Sequence, residues 1–442
     1  MKKLFLFFVI NLLILSATIA QIPQKAFTLS NSLADLWHEG KIDQVVRSSI
    51  ELDSLYAPFF VSRIHNTFSQ MMKREEYDNC MKYLDTLVDE KNEKVNKVVE
   101  GVHLWGKTLK YTEKSDYEKV VDELLKLLEK GATPVSKINR YCLLIIQKLE
   151  KSNTVDKTVL QRLLIKNIEQ LEKYEFIEKI AEGKESRKRA WYRYVLCESY
   201  HMAYRLNQNN EKYLERASFY SPDLTDITNK SYFFYDLALI TGDVDNVGYK
   251  FQYYQHLMKN QRIEEGLEVM AAIAFKEPLD RNIKLLKECY VKKNRDVPFK
   301  QFWMKYINGH CKVVPANVDK LLNTDIKLEK KDGEWKFIDV WGTWCSPCVG
   351  GLPEIQKYYE SNEKKQQSKV HVLTFSYGSR KLAEFMKMKK YTFPVVEVNN
   401  EVIKAFHITS YPTKILITPE GKYLTLPYRV DWKKYIKNYS LM

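Results

Sequence analysis

Phe337-Ile338-Asp339-Val340-Trp341-Gly342-Thr343-Trp344-Cys345-Ser346-Pro347-Cys348 is the stretch that decides the fold of this 442-residue chain. The apolar run Phe337 to Trp341, broken only by Asp339, reads as a buried strand. Two cysteines spaced C-x-x-C follow where that strand hands over to a helix. Thiols at a helix N-terminus gain thiolate character, because the helix dipole and the free backbone N–H groups favour negative charge there. Pro347 suits the first helical turn, where no N–H is required. A metal site needs four ligands, and no second C-x-x-C or histidine pair accompanies this one. The sequence therefore implies neither a metal nor a cofactor.

Outward from this stretch the pattern alternates in type. Trp335 to Trp341 reads as a strand, Pro347 to Ser361 as a helix, and Val370 to Phe375 as a second strand. Lys381 to Lys390 reads as a helix and Phe393 to Val398 as a short extended segment. Thr413 to Ile417, a turn at Pro419-Glu420-Gly421-Lys422, and Tyr423 to Thr425 form a hairpin, and a last helix starts at Asp431. Strand–helix–strand followed by a hairpin and a helix gives a mixed sheet with helices on both faces.

Several separated features of this segment share one pattern. They are Val340-Trp341-Gly342-Thr343-Trp344-Cys345-Ser346-Pro347-Cys348, then Pro353, then Ser410-Tyr411-Pro412-Thr413 before a strand, then Pro419-Glu420-Gly421. Residues 311–442 thus resemble a thioredoxin-fold domain, specifically the exported TlpA/ResA-like thiol–disulfide oxidoreductases. The resemblance implies catalytic roles for Cys345, Cys348 and Asp339. Cys345 would be the nucleophile, the more exposed of the two, and Cys348, one turn into the helix, would resolve the mixed disulfide. Asp339, six residues before Cys345, would match the buried acid that takes a proton from the second cysteine; burial raises a carboxylate pKa and makes it a base near neutral pH. A hydrogen-bonded structural acid is the other reading of Asp339. Pro412 would be the cis-proline facing the site, where an extended substrate segment pairs with the backbone, and Tyr411 and Trp344 would line that substrate groove. His407, nearby on a loop, reads as a surface residue. One departure concerns redox tuning: many such domains carry a Glu three residues after the second cysteine, and this chain has Gly351.

The family resemblance leaves most of the chain outside it. At this length two or three domains are expected. From about residue 25 to 300 the apolar spacing is helical, as in Val120-Val121, Leu124-Leu125 and Leu127-Leu128, with Gly and Pro as punctuation. A short pattern recurs at Ile42, Tyr77, Tyr117 and Ile263: an aromatic or Ile, one or two acids, then a small or apolar residue. Residues 21–310 thus resemble a degenerate tetratricopeptide-like array, which would recruit a protein partner on a concave surface or simply support the C-terminal unit. The cluster Trp191, Tyr192, Tyr194, Tyr200 and Tyr204 reads as core. The fold class expected is therefore multidomain, with an all-α helical-repeat-like domain followed by an α/β thioredoxin fold.

The ends and the charges supply location and exclusions. Lys2-Lys3, an apolar run from Leu4 to Leu15 broken by Asn11, and small residues to Ala20 read as a signal peptide over residues 1–20. An uncleaved anchor is the alternative, although the run is short for a span. The protein is expected to be exported, to the periplasm or cell envelope. A net charge of +14 is spread along the length and locally balanced, with one short basic run at Lys184 to Arg189, so no nucleic-acid partner is expected. Of seven cysteines, Cys80, Cys142 and Cys197 read as buried thiols in helices, and a Cys289–Cys311 bridge is a further pairing to test. The function implied is disulfide reduction or exchange in protein partners, with a membrane-bound electron donor. An envelope scaffold, with the thioredoxin-like unit secondary, is the alternative. A peroxidase would want a threonine-flanked peroxidatic cysteine, and Thr343 does not supply that pattern.

Overall fold

The computed structural model describes residues 22–69, 76–89, 92–130, 136–174, 183–221, 248–292, 296–322, 324, 327–328, 333–363, 370–428 and 430–441. The expected signal peptide, residues 1–20, lies outside these, as do Gly131, Pro134, Pro222 and Gly242. The described residues form two compact units, one ending at Tyr249 and the other running from Lys250 onward.

The first unit is helical: α1 (Gln24–His38), α2 (Ile42–Ser62), α3 (Tyr77–Asp89), α4 (Glu93–Lys110), α5 (Lys114–Lys130), α6 (Ile138–Ser152), α7 (Lys157–Glu172), α8 (Gly183–Leu206) and α9 (Glu211–Tyr220). Helices adjacent in sequence pack on one another. The recurring sequence pattern marks helix starts: Ile42 and Tyr77 open α2 and α3, and Tyr117 lies in the first turn of α5. Trp191, Tyr192, Tyr194 and Tyr200 are buried in α8, so this aromatic cluster is core. Cys80, Cys142 and Cys197 are buried and not disulfide-bonded. Burial pushes the Cys80 thiol up to about 12, which leaves it without thiolate reactivity at neutral pH. The basic run at Lys184 to Arg189 is within the backbone of α8.

The second unit opens with four more helices, α10 (Lys250–Lys259), α11 (Ile263–Lys276), α12 (Asp280–Val291) and α13 (Phe299–His310). Then come β1 (Lys312–Val313), α14 (Val318–Leu322), β2 (Trp335–Trp341), α15 (Ser346–Glu363), β3 (Val370–Tyr377), α16 (Leu382–Lys389), β4 (Val395–Val398), α17 (Asn400–Ala405), β5 (Thr413–Ile417), β6 (Lys422–Leu426) and α18 (Trp432–Ser440). The six strands form one sheet in the order β1-β6-β5-β2-β3-β4. β2 is parallel to β3, and β3 to β4. β5 runs antiparallel to both β2 and β6. The β5–β6 turn closes through a bond from Thr418 N to the Lys422 carbonyl at 2.7 Å, with Gly421 in the left-handed region at φ 73°.

Strand β2 is buried at every position, and its side chains divide between two cores by the period-two alternation of a strand. Trp335, Phe337 and Trp341 join Cys345, Cys348, Leu352 and Ile355 in one core. Ile338 and Val340 join Val318, Val402 and Phe406 in the other. By that alternation Asp339 belongs to the cysteine-bearing face.

Compactness begins well before the change of sequence pattern near residue 310. The helices from Lys250 share the cysteine-side core with the sheet, through Leu286, Trp303 and Ile307. Helix α18 ties them together. Trp432 stacks on Phe337 of β2 at 4.7 Å, and Tyr439 stacks on Trp303 of α13 at 6.4 Å. Asn438 accepts from the Trp303 indole through its carbonyl at 3.1 Å and donates to the Pro278 carbonyl at 2.6 Å. Tyr439 donates to the Phe275 carbonyl at 2.6 Å. Neither Cys289 nor Cys311 is disulfide-bonded, so the bridge considered between them is not formed.

Trp303→Ala, which empties a fully buried site, is expected to cost about 3–5 kcal/mol. Hydrogen exchange will then quicken in β2 and β5 as well as in α11 to α13. Faster exchange confined to the helices would show that they and the sheet are not one cooperative unit.

Candidate redox site

The C-x-x-C pair stands where the sheet ends and α15 begins. Cys345 and Cys348 form a disulfide with their Cα atoms 5.3 Å apart. Cys345 precedes the helix and takes the capping position: its carbonyl accepts from Val349 N at 3.0 Å, and its Sγ accepts from Cys348 N at 3.3 Å. A backbone N–H aimed at this sulfur would stabilise a thiolate on it once the bond is reduced. Cys345 keeps 6% of its surface exposed and Cys348 only 1%, the order expected from their places in the helix.

Asp339 is 2% exposed. The antiparallel register places Lys414 of β5 directly opposite it, and the Lys414 ammonium donates to Asp339 Oδ1 at 2.7 Å. Burial pushes the Asp339 carboxyl above the usual carboxylate range, while the charge and hydrogen bond of Lys414 pull it back. Lys414 itself keeps 19% of its side chain exposed and lies 5.9 Å over the Trp432 ring. It thus links a carboxylate without solvent access to the protein surface.

Three loops meet around the cysteines. Gly342 opens the C-x-x-C loop, and a Cβ there would fall 2.5 Å from Trp344 Nε1 and 2.8 Å from the Tyr377 carbonyl, so the position requires glycine. Trp344 is 55% exposed and donates to the Tyr377 carbonyl at 2.9 Å. Thr343 N donates to Ser379 Oγ at 2.9 Å, and Ser376 Oγ donates to the same hydroxyl at 2.7 Å. The Tyr411–Pro412 bond is cis. Tyr411 meets Trp344 edge-on at 5.2 Å and stacks on Tyr377 at 5.9 Å. Tyr377 therefore braces both flanking loops, one with its carbonyl and one with its ring.

The structure brings together Cys345 and Cys348, and separately Trp344 and Tyr411 beside the cis Pro412. It places Asp339 on the face that bears Cys348. His407 is exposed, at the end of α17. A Cβ at Gly351 meets nothing within 4 Å, so no neighbour forbids an acid there. Sequence reasoning missed Lys414, Tyr377, Ser376 and Ser379. Lys414 carried a signal, being a lone charge in the strand Thr413-Lys414-Ile415-Leu416-Ile417. The other three act through loop contacts that no spacing encodes.

The sequence matches the AhpC/TSA family over residues 311–423. Over 100 residues it is 36% identical to the thiol-disulfide oxidoreductase ResA of Bacillus subtilis, a match covering 22% of this chain and 54% of that protein. It is 29% identical over 101 residues to sporulation thiol-disulfide oxidoreductase A of the same organism, covering 22% of this chain and 61% of the relative. The chain thus spans a little over half the length of these curated relatives. Among solved structures it is similar to the exposed lipoprotein thioredoxin Etrx1 of Streptococcus pneumoniae, with 24% identity, 26% of this chain and 91% of that one covered, and a TM-score of 0.23. The C-terminal part of the chain carries an AhpC/TSA domain of thioredoxin fold, and its relatives are named thiol–disulfide oxidoreductases.

The buried acid sets a pH dependence. A carboxyl whose pKa is raised in the folded state favours folding while it stays neutral. That contribution is full below the unfolded value of about 4 and is lost as pH rises through the folded value. Asp339→Asn in the oxidised protein is therefore expected to gain stability over wild type as pH rises from about 4. Lys414→Met removes both influences that lower the Asp339 pKa, so its loss of stability will continue to higher pH. Urea unfolding across pH measures both, and an Asn advantage that shrinks with rising pH refutes this account.

Proposed function

We propose that the chain is an exported thiol–disulfide oxidoreductase that reduces or exchanges disulfides in protein partners. The observation that carries this reading is the Cys345–Cys348 disulfide capping α15, on the same face of the sheet as a buried, lysine-paired Asp339. In the reduced protein the Cys345 thiolate attacks one sulfur of a partner disulfide. A mixed disulfide forms, and the other partner sulfur leaves as a thiolate. Cys348 then gives its proton to Asp339 and attacks Cys345 Sγ, which releases the second partner sulfur and closes the Cys345–Cys348 bond. Two electrons pass from the dithiol to the partner. The dithiol is restored by an external dithiol donor, for which a membrane-bound reductant is the class implied by the resemblance.

Trp344 and Tyr411 flank the cis Tyr411–Pro412 bond. An extended partner segment would pair with this backbone and lay its side chains on the two rings. Export rests on the charged start and short apolar run of residues 2–20, and it places the reaction in the periplasm or cell envelope. Among the described residues no helix is long and apolar enough to cross a membrane. The helical unit before Lys250 would recruit or orient the partner.

An insulin-reduction assay with dithiothreitol as donor tests the reading. Wild type is expected to accelerate reduction and Cys345→Ser to abolish the acceleration, whereas Cys348→Ala will accumulate a mixed disulfide. Asp339→Asn is expected to slow resolution by about 10²-fold near neutral pH, the usual scale of a lost general base. Equal activity in wild type and Cys345→Ser would sink the proposal.

A further inference from the structure

Helix α16 and its flanks carry a concentration of exposed cations directly after the loop that follows β3. Arg380, Lys381, Lys387, Lys389 and Lys390 are exposed over eleven residues that hold one acid, Glu384. Lys381 pairs with Glu384 at 3.3 Å. The other four cations have no ion-pair partner among the described residues. The strip is attached to the site: Ser379, which accepts from Thr343 N, immediately precedes Arg380, and Phe385 packs on Trp341 at 5.8 Å. Met388 is 68% exposed between two of the lysines.

Helix stability explains only part of this arrangement. Lys387, Lys389 and Lys390 lie at the C-terminal end, where the helix dipole favours cations. Arg380 and Lys381 lie at the N-terminal end, where it disfavours them. Lys381 also occupies the N-cap at φ 52°, without a side-chain cap bond, at a position where Ser, Asp or Asn would stabilise the helix. Residues that break local rules without a structural gain point to a functional site.

We propose that α16 with Arg380 and Lys381 is the docking strip for an acidic segment of the protein partner, lying beside the partner's disulfide. This rests on the oxidoreductase reading and names the partner chemistry for that same site. Four uncompensated positive charges attract carboxylates over roughly a Debye length, about 10 Å at 0.1 M salt. Met388 offers an apolar contact within the strip. Trp344, exposed and next to Cys345, donates to the Tyr377 carbonyl in the loop that leads to Arg380. Such complementarity acts mainly on the rate of encounter, which it raises by about 10- to 10³-fold at low salt.

The test uses the full-length reduced protein and two synthetic disulfide peptides, identical around the bond and flanked by either glutamates or lysines. At low ionic strength kcat/KM is expected to be at least about tenfold higher for the acidic peptide, and the ratio will collapse as salt shortens the Debye length. The triple variant Arg380→Glu, Lys387→Glu, Lys389→Glu changes only exposed side chains and will reverse the preference. It will reduce neutral hydroxyethyl disulfide at the wild-type rate. Equal kcat/KM for the two peptides, or a preference that survives charge reversal, overturns the proposal. So does charge-sensitive binding to anionic phospholipid vesicles without peptide discrimination, which would make the strip a membrane contact. Failure of wild type to reduce hydroxyethyl disulfide would instead sink the oxidoreductase reading beneath it.

Discussion

A carboxylate buried in the central strand β2 is the constraint on which the rest of the redox unit depends. Burying Asp339 without a partner would be expensive enough to force it neutral or expel it. The register of β5 against β2 sets Lys414 opposite, with the two charged groups 2.7 Å apart. The same pairing fixes what lies one residue further along. Thr413 pairs with Val340, so the cis Pro412 is delivered to the end of β2 from which the C-x-x-C loop departs. One ladder of backbone hydrogen bonds thus sets the surroundings of the buried acid and brings the Tyr411–Pro412 loop to the end of β2 that leads to the cysteines.

Much of this unit was legible in the sequence, and the reasons are local. β2, β3 and β5 are short apolar runs bounded by polar residues or turns, and α15 begins at the proline-marked C-x-x-C. The Pro419-Glu420-Gly421 turn announces its hairpin. What stayed hidden depends on pairing across the chain. α17 spans only Asn400 to Ala405, too short for a periodic signal, although Asn399 caps it through bonds from Glu401 N and Val402 N. The bracing by Tyr377, Ser376 and Ser379 requires knowing that the loop after β3 abuts the loop after β2. Parallel pairing of Trp341 with Ser376 brings that about.

The limits of the redox unit are a similar lesson. Sequence similarity to the AhpC/TSA family begins at residue 311, where helical spacing gives way to strands. Packing follows different rules from pattern. Helix α18 is amphipathic twice over: Trp432 covers β2, and Asn438 and Tyr439 engage α11 to α13. An isolated sheet unit would leave the Asn438 amide and the Tyr439 hydroxyl without these carbonyls, and burial makes unsatisfied polar groups costly. The helices from Lys250 to His310 are therefore a covering layer of the redox unit, even though their sequence reads as a continuation of the helical array.

That covering layer also bears on the missing acid at Gly351. A carboxylate there would stand one helical turn beyond Cys348, in open space, where water would screen it. Asp339 is instead fully enclosed, with its charge answered by a lysine that reaches solvent at its other side. A buried ion pair responds to small changes in its surroundings far more than an exposed carboxylate does, because little solvent damps the field. Trp432 lies over Lys414, and Trp432 belongs to the helix that α11 to α13 hold in place. The geometry of the Asp339–Lys414 pair thus depends on the packing of α18 and, through it, on α11 to α13. In this chain the helices from Lys250 to His310 bear on the surroundings of that buried pair through α18.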